Sequence, residues 1–176
     1  MRIEIEVLEE AGFNSAVGGI CLSYNTEPSL RVAQKLAKKG GGHNKFLESI
    51  MAWLEIRAPR YWWQQFDSYR VGVTKQSEST MHTLMRKKSM DYEDFSIPVD
   101  MGVLSLLNHF LINQRFEELK GHLPESFIQK RVVCVNYKTL YNMYVQRKYH
   151  KLGEWREFCN FISTNLGYWK ELGLNE

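Results

Sequence analysis

The segment IMAWLEIRAPRYWWQQF, residues 50–66, constrains the fold more than any other part of the chain. Ile50, Ala52, Leu54 and Ile56 recur at every second position, the pattern of a strand with one buried face over 50–57. Pro59 then ends the alternation. It suits the first turn of a helix, where its missing N–H is not needed, so a helix is predicted over 59–67. Tyr61, Trp62, Trp63 and Phe66 make this the densest aromatic cluster in a chain that is 13% aromatic. Core packing is the default use of such rings, with a flat-ligand pocket or a subunit interface as alternatives. The cluster exceeds what one short helix is expected to bury, which places part of it at a subunit interface.

The rest of the chain continues the mixture. Residues 2–8 alternate, with Ile3, Ile5 and Val7 opposed to Glu4 and Glu6, and read as a half-buried strand. Gly18-Gly19 interrupts a short apolar stretch. Leu30, Ala33, Leu36 and Ala37 form the stripe of a helix over 29–39 that Gly40 stops. Gly40-Gly41-Gly42-His43 is a flexible hinge or a close backbone approach. After the aromatic helix, 70–83 reads as a loop and 85–100 as polar and irregular. Asp100 can cap a long helix over 101–120 with a stripe at Leu104, Leu107 and Leu111, and Pro124 ends that element. A short strand is predicted over 131–135, and helices over 138–148 and 154–166. With 176 residues and 44% hydrophobic composition, the expectation is one mixed α/β (α+β) domain spanning the chain.

Several function classes are disfavoured. A net charge of +3 gives no bulk electrostatic case for nucleic acid or membrane. No apolar run reaches the roughly 18 residues that crossing a bilayer needs. Arg2 and four glutamates in the first ten residues do not resemble a signal peptide. Cys21, Cys134 and Cys159 are far apart, with no metal-ligand spacing, and imply a reducing, cytoplasmic setting without structural zinc. Nucleophile-elbow, P-loop, dinucleotide-fold and zinc-protease motifs are absent from the sequence. His109, inside an apolar helix, reads as structural, and Met85-Arg86-Lys87-Lys88 as a solvated face.

A set of amide and cationic side chains stands out instead: Gln65, Arg70, Lys120, Asn136, Lys138, Asn142 and Arg147. On a helix, Lys138, Asn142 and Arg147 are expected to share a broad face. Asn both donates and accepts, which suits the edge of a uracil or flavin ring. Arg and Lys suit phosphate or an enolate-like oxygen. Ordinary helix-surface polarity remains the other reading.

At these residues the chain resembles the flavin-dependent thymidylate synthases. Gly42-His43, Glu48, IMAWLEIRAP and QQF are similar to the family's GH…E…FxFxxxAP…RQxxRHR stretch. KGHLP is similar to its RxxLP, and VNYKTLYNMYVQR to its TxNxRxLxxFxxLR. Within the Arg-His-Arg motif only Arg70 matches; Ser68 and Tyr69 stand at the first Arg and at the His. Lys75, Gln76, Glu78 and Thr80 fall where the family has Asn-Glu, Ser and Arg, and a one-residue slip puts Ser79 at the phosphate-binding Ser.

The resemblance implies a central, largely antiparallel sheet with flanking helices, assembled as a homotetramer with sites between subunits. It implies FAD bound by Glu48, Arg70, Asn136, Lys138 and Asn142. It implies dUMP held by Gln65, Ser79, Lys120 and Arg147, with Arg147 stabilising the activated pyrimidine as the catalytic group. The implied reaction is reductive methylation of dUMP with methylenetetrahydrofolate and NADPH. A related pyrimidine-nucleotide enzyme, such as a hydroxymethylase, is one alternative. A non-catalytic nucleotide-binding or assembly protein is the other.

Overall fold

The computed structural model describes residues 3–175 of the chain. The first strand, β1 (Glu4–Ala11), leads into α1 (Phe13–Cys21) and α2 (Leu30–Ala37). Then β2 (Met51–Pro59) runs straight into α3 (Arg60–Phe66), as the alternation and Pro59 predict. β3 (Val73–Ser77), α4 (Thr80–Thr83), α5 (Met101–Ile112) and α6 (Phe116–Gly121) follow. The chain closes with β4 (Ile128–Asn136), α7 (Tyr137–Arg147), α8 (Gly153–Asn165) and α9 (Gly167–Glu171). The four strands form an antiparallel sheet in the order β1-β2-β4-β3.

The buried face of β2 is the predicted one: Ala52, Leu54 and Ile56, with Ile50 just before the strand, are each 0% exposed. They pack with Val133 and Val135 of β4 and with helix side chains including Trp62, Phe66, Leu140 and Phe158. Trp62, Trp63 and Phe66 are wholly buried within one chain. Three of the four rings of the aromatic cluster therefore need no subunit interface, and Tyr61 is half-buried. Seven residues of α3 do bury these rings, because α8 adds Trp155 and Phe158 on the other side.

Four other expectations are corrected. Residues 70–83 are not a loop: β3 pairs with β4 from Val73↔Val135 to Ser77↔Arg131. Its sequence, VTKQS, lies on an edge and lacks apolar alternation, so only its backbone pairing marks it as a strand. β4 spans nine residues rather than the five of RVVCV, since β2 pairs along its full length. Gly18-Gly19 does not interrupt α1; Phe13, Ala16, Val17 and Cys21 bury one helical face, which offsets the roughly 1 kcal/mol that each helical glycine costs. The helix expected over 101–120 is two helices. Gln114 adopts φ 55°, and Arg115 N–H donates to Phe110 O to close α5. The Asn113 side chain also donates to His109 O at 2.8 Å in the last turn of α5, where His109 is exposed. Asp100 caps α5 as predicted, accepting from Gly102 N–H at 2.7 Å. The part of the first predicted strand at Arg2 lies outside the described residues.

Candidate functional site

The end of α7 meets the end of α3 at a cluster of four side chains. α3 turns its Trp and Phe rings into the core, which leaves Gln65 half-buried at the rim. Tyr69 follows one turn later. Its hydroxyl receives Arg147 Nε–H at 2.9 Å and donates to Gln146 Oε1 at 2.8 Å. The Arg147 guanidinium carbon lies 4.9 Å above the Trp155 ring and 5.7 Å from that of Tyr69. Trp155 Nε1–H donates to Gln65 Oε1 at 2.8 Å. Arg147 is thus held over an aromatic floor at a helix C-terminus, where a cation is favoured. His150 sits beside Trp155, and its Nδ1 accepts from Leu152 N–H at 3.1 Å. Burial and the positive charges of Arg147, Arg156 and Lys151 push its imidazole below the usual range. The neutral form, with its proton on Nε2, is favoured.

The residues matched to flavin positions lie elsewhere. Lys138 Nζ pairs with Glu48 Oε1 at 2.5 Å, joining the start of α7 to a short 3-10 helix at Lys45–Ser49. Glu48, His43, Phe46 and Tyr24 border an open groove of about 920 Å³, with Gly41 and Gly42 at its edge. Gly41 and Gly42 adopt φ 65° and 85°, so the glycine run makes a turn that L side chains strain to follow. Asn136 is 6% exposed and caps α7, its Oδ1 accepting from Thr139 N–H at 2.8 Å. A Cβ on Gly72, whose φ is +67°, would lie 2.1 Å from Asn136 Nδ2. Asn142 and Arg70 are exposed. Lys138 and Arg147 do not share a face: nine residues at 3.6 per turn leave them about half a turn apart.

Lys120 occupies a third place. It borders a cavity of about 280 Å³ with Arg60, Gln64, Thr80 and Arg131. Gln64 faces this cavity, while its neighbour Gln65 faces Trp155. Arg131 lies 4.4 Å over the Trp63 ring and bonds both oxygens of Asp67 at 3.1 Å. Burial alone would raise the Asp67 carboxyl, but hydrogen bonds from Lys75 and Arg131 outweigh it and hold the carboxyl below its ordinary value. Ser79 is exposed ahead of α4, its carbonyl accepting from His82 and Thr83 N–H. Within one chain, then, Gln65 and Arg147 share Trp155 as a neighbour, Glu48 and Lys138 pair directly, and Lys120 borders a separate cavity.

Tyr69, Gln146, Trp155 and His150 are the site residues that sequence reasoning missed. Burial pushes the Cys159 thiol up to about 12 and raises that of Cys134. No helix of the described residues is long and apolar enough to cross a membrane.

No protein-family model and no curated protein matches the chain. Solved structures do. Thymidylate Synthase X from Helicobacter pylori, crystallised with FAD and dUMP, aligns with a TM-score of 0.76 at 16% identity, over 98% of this chain and 97% of that one. Another structure of flavin-dependent thymidylate synthase ThyX from Helicobacter pylori, complexed with FAD and dUMP, gives 0.83 at 18% identity, over 98% of each chain. Over nearly its whole length, the chain has the fold of the flavin-dependent thymidylate synthases.

Proposed function

We propose that the chain is a divergent flavin-dependent thymidylate synthase that binds dUMP and converts it to dTMP, with methylenetetrahydrofolate as carbon donor and NADPH as reductant. The observation that carries this reading is the cluster in which Tyr69 and Trp155 hold Arg147 beside Gln65. These two residues match nucleotide-binding positions, and the H. pylori proteins of the same fold bind dUMP. Arg147 would face a ring carbonyl, where a fixed positive charge stabilises the negative charge that builds as the pyrimidine attacks the carbon donor. Gln65 would bond the base edge. Lys120, with its cationic neighbours Arg60 and Arg131, would take the phosphate in a site completed by another subunit.

FAD fits the donor set. Arg70 is exposed and offers a cation for a pyrophosphate, Lys138 offers a second that it shares with Glu48, and the exposed Asn142 amide can both donate and accept. When bound, the flavin would carry hydride from NADPH to the pyrimidine. The protein's own residues would bind and orient flat ligands, and no side-chain nucleophile is required.

One observation favours a second reading. Tyr69 and Ser68 stand where the motif has a His and an Arg, and the Tyr69 hydroxyl is already engaged by Arg147. A nucleotide-binding protein without turnover fits that loss. The test is calorimetric titration with dUMP, followed by an assay for dTMP with added FAD, NADPH and methylenetetrahydrofolate. Binding with turnover supports the synthase, binding without turnover supports the second reading, and negligible heats refute both.

We infer a homotetramer as well. Met101 and Ile112 of α5 are 76% and 71% exposed, an apolar surface suited to a second copy. Light scattering should give close to four chain masses; a monomer at micromolar concentration would remove the composite site.

A further inference from the structure

Gln65 and Arg147 each have one hydrogen-bonding group already committed inside the protein, and what remains on both is of one kind. An indole N–H can only donate, so the amide atom facing Trp155 Nε1 is the oxygen of Gln65. Its Nε2 is then the end left for a ligand. Arg147 commits Nε to the Tyr69 hydroxyl. That hydroxyl gives its own proton to Gln146 Oε1, so towards Arg147 it acts as an acceptor. Among the described residues, neither terminal nitrogen of Arg147 has a hydrogen-bond partner in the protein. The cluster therefore offers donors: two guanidinium nitrogens and one amide nitrogen.

We infer that Tyr69 and Trp155 are positioning residues that set base specificity, holding Gln65 and Arg147 as an all-donor pair that takes a pyrimidine with two ring carbonyls and rejects one with a 4-amino group. The inference rests on the nucleotide reading above. Uracil presents acceptors at positions 2 and 4. Cytosine presents an amino donor at position 4, so two donors would meet and both would lose their water without a bond in return. Free in solution, a glutamine amide would turn over and accept from that amino group. The Trp155 N–H prevents the turn.

The test is calorimetry of dUMP and dCMP against the full chain and three variants. The wild type should prefer dUMP by at least about tenfold. Trp155→Phe keeps a buried ring but frees the amide, and the ratio should fall toward one. Gln65→Glu retains an acceptor for Trp155 and loses the outward donor, so dUMP should weaken more than dCMP. Tyr69→Phe should weaken dUMP by about tenfold through the loosened guanidinium. A purely structural role would weaken both nucleotides equally. If Trp155→Phe does not fold, Gln65→Glu and Tyr69→Phe decide. A wild type that binds both nucleotides equally, or a dUMP preference unchanged in Gln65→Glu and Tyr69→Phe, overturns this inference and leaves the nucleotide reading standing. A wild type that binds neither overturns both.

Discussion

Arg147→Ala should abolish dTMP formation and weaken dUMP by about 1.5–3 kcal/mol, the range for a hydrogen bond to a charged group. The loss of turnover should exceed the loss of binding, because the charge it stabilises builds fully only as the pyrimidine reacts. The fold should tolerate the change, since the guanidinium lies on the Trp155 face rather than within the core. Arg147→Lys is the sharper control. It keeps the charge but loses the guanidinium over the Trp155 ring and the Nε–H bond to Tyr69. It should restore part of the binding and little of the rate. Flavin retention should not move in either variant, because Lys138 lies at the other end of α7, on the opposite face, where it pairs with Glu48 of the 3-10 helix at Lys45–Ser49. Single-turnover assays, paired with dUMP calorimetry, make the comparison. Turnover in Arg147→Ala within tenfold of wild type would remove Arg147 from the chemistry.

Legibility in the sequence followed the strength of local pattern. β2 and α3 were readable because Ile50, Ala52, Leu54 and Ile56 alternate and Pro59 marks the switch. β3 was not, because VTKQS is a strand only by virtue of its pairing with β4. Polar edge strands carry their reason for existing in another part of the chain. The break between α5 and α6 was hidden for a different reason: Gln114 in a left-handed conformation has no glycine to announce it. The site divides in the same way. Gln65 and Arg147 came from motif resemblance, and both contact Trp155, one at its N–H and the other over its ring. Tyr69 counted only as a departure from the motif, yet it bonds a residue 78 positions away. Trp155 reaches Gln65 across 90 positions. No spacing rule links such pairs; only the packing of α7 and α8 against the end of α3 does.

That packing makes Trp62→Ala the change with the largest expected cost in stability, about 3–5 kcal/mol. Trp62 is 0% exposed. Its ring centroid lies 4.9 Å from those of Trp63 and Trp155, 5.1 Å from Phe66 and 5.6 Å from Phe158. Truncation leaves a cavity whose walls are these same rings, and rigid aromatics from α3 and α8 collapse poorly into it. Trp155 is one of those walls and also the floor for Arg147. The nucleotide site should therefore fail together with the core, with dUMP affinity falling even at temperatures where Trp62→Ala remains folded. Trp62→Phe separates volume from hydrogen bonding. Among the described residues Trp62 Nε1 is buried without a partner, so phenylalanine sacrifices no bond and removes an unsatisfied donor. It should cost well under half as much and leave dUMP binding nearly intact. Urea melts of both variants, each with a dUMP titration below its transition, report the two effects on one scale. Equal destabilisation by alanine and phenylalanine would mean that the ring edge, not the buried volume, supports the site. Intact dUMP affinity in folded Trp62→Ala would uncouple Arg147 from the aromatic core beneath it.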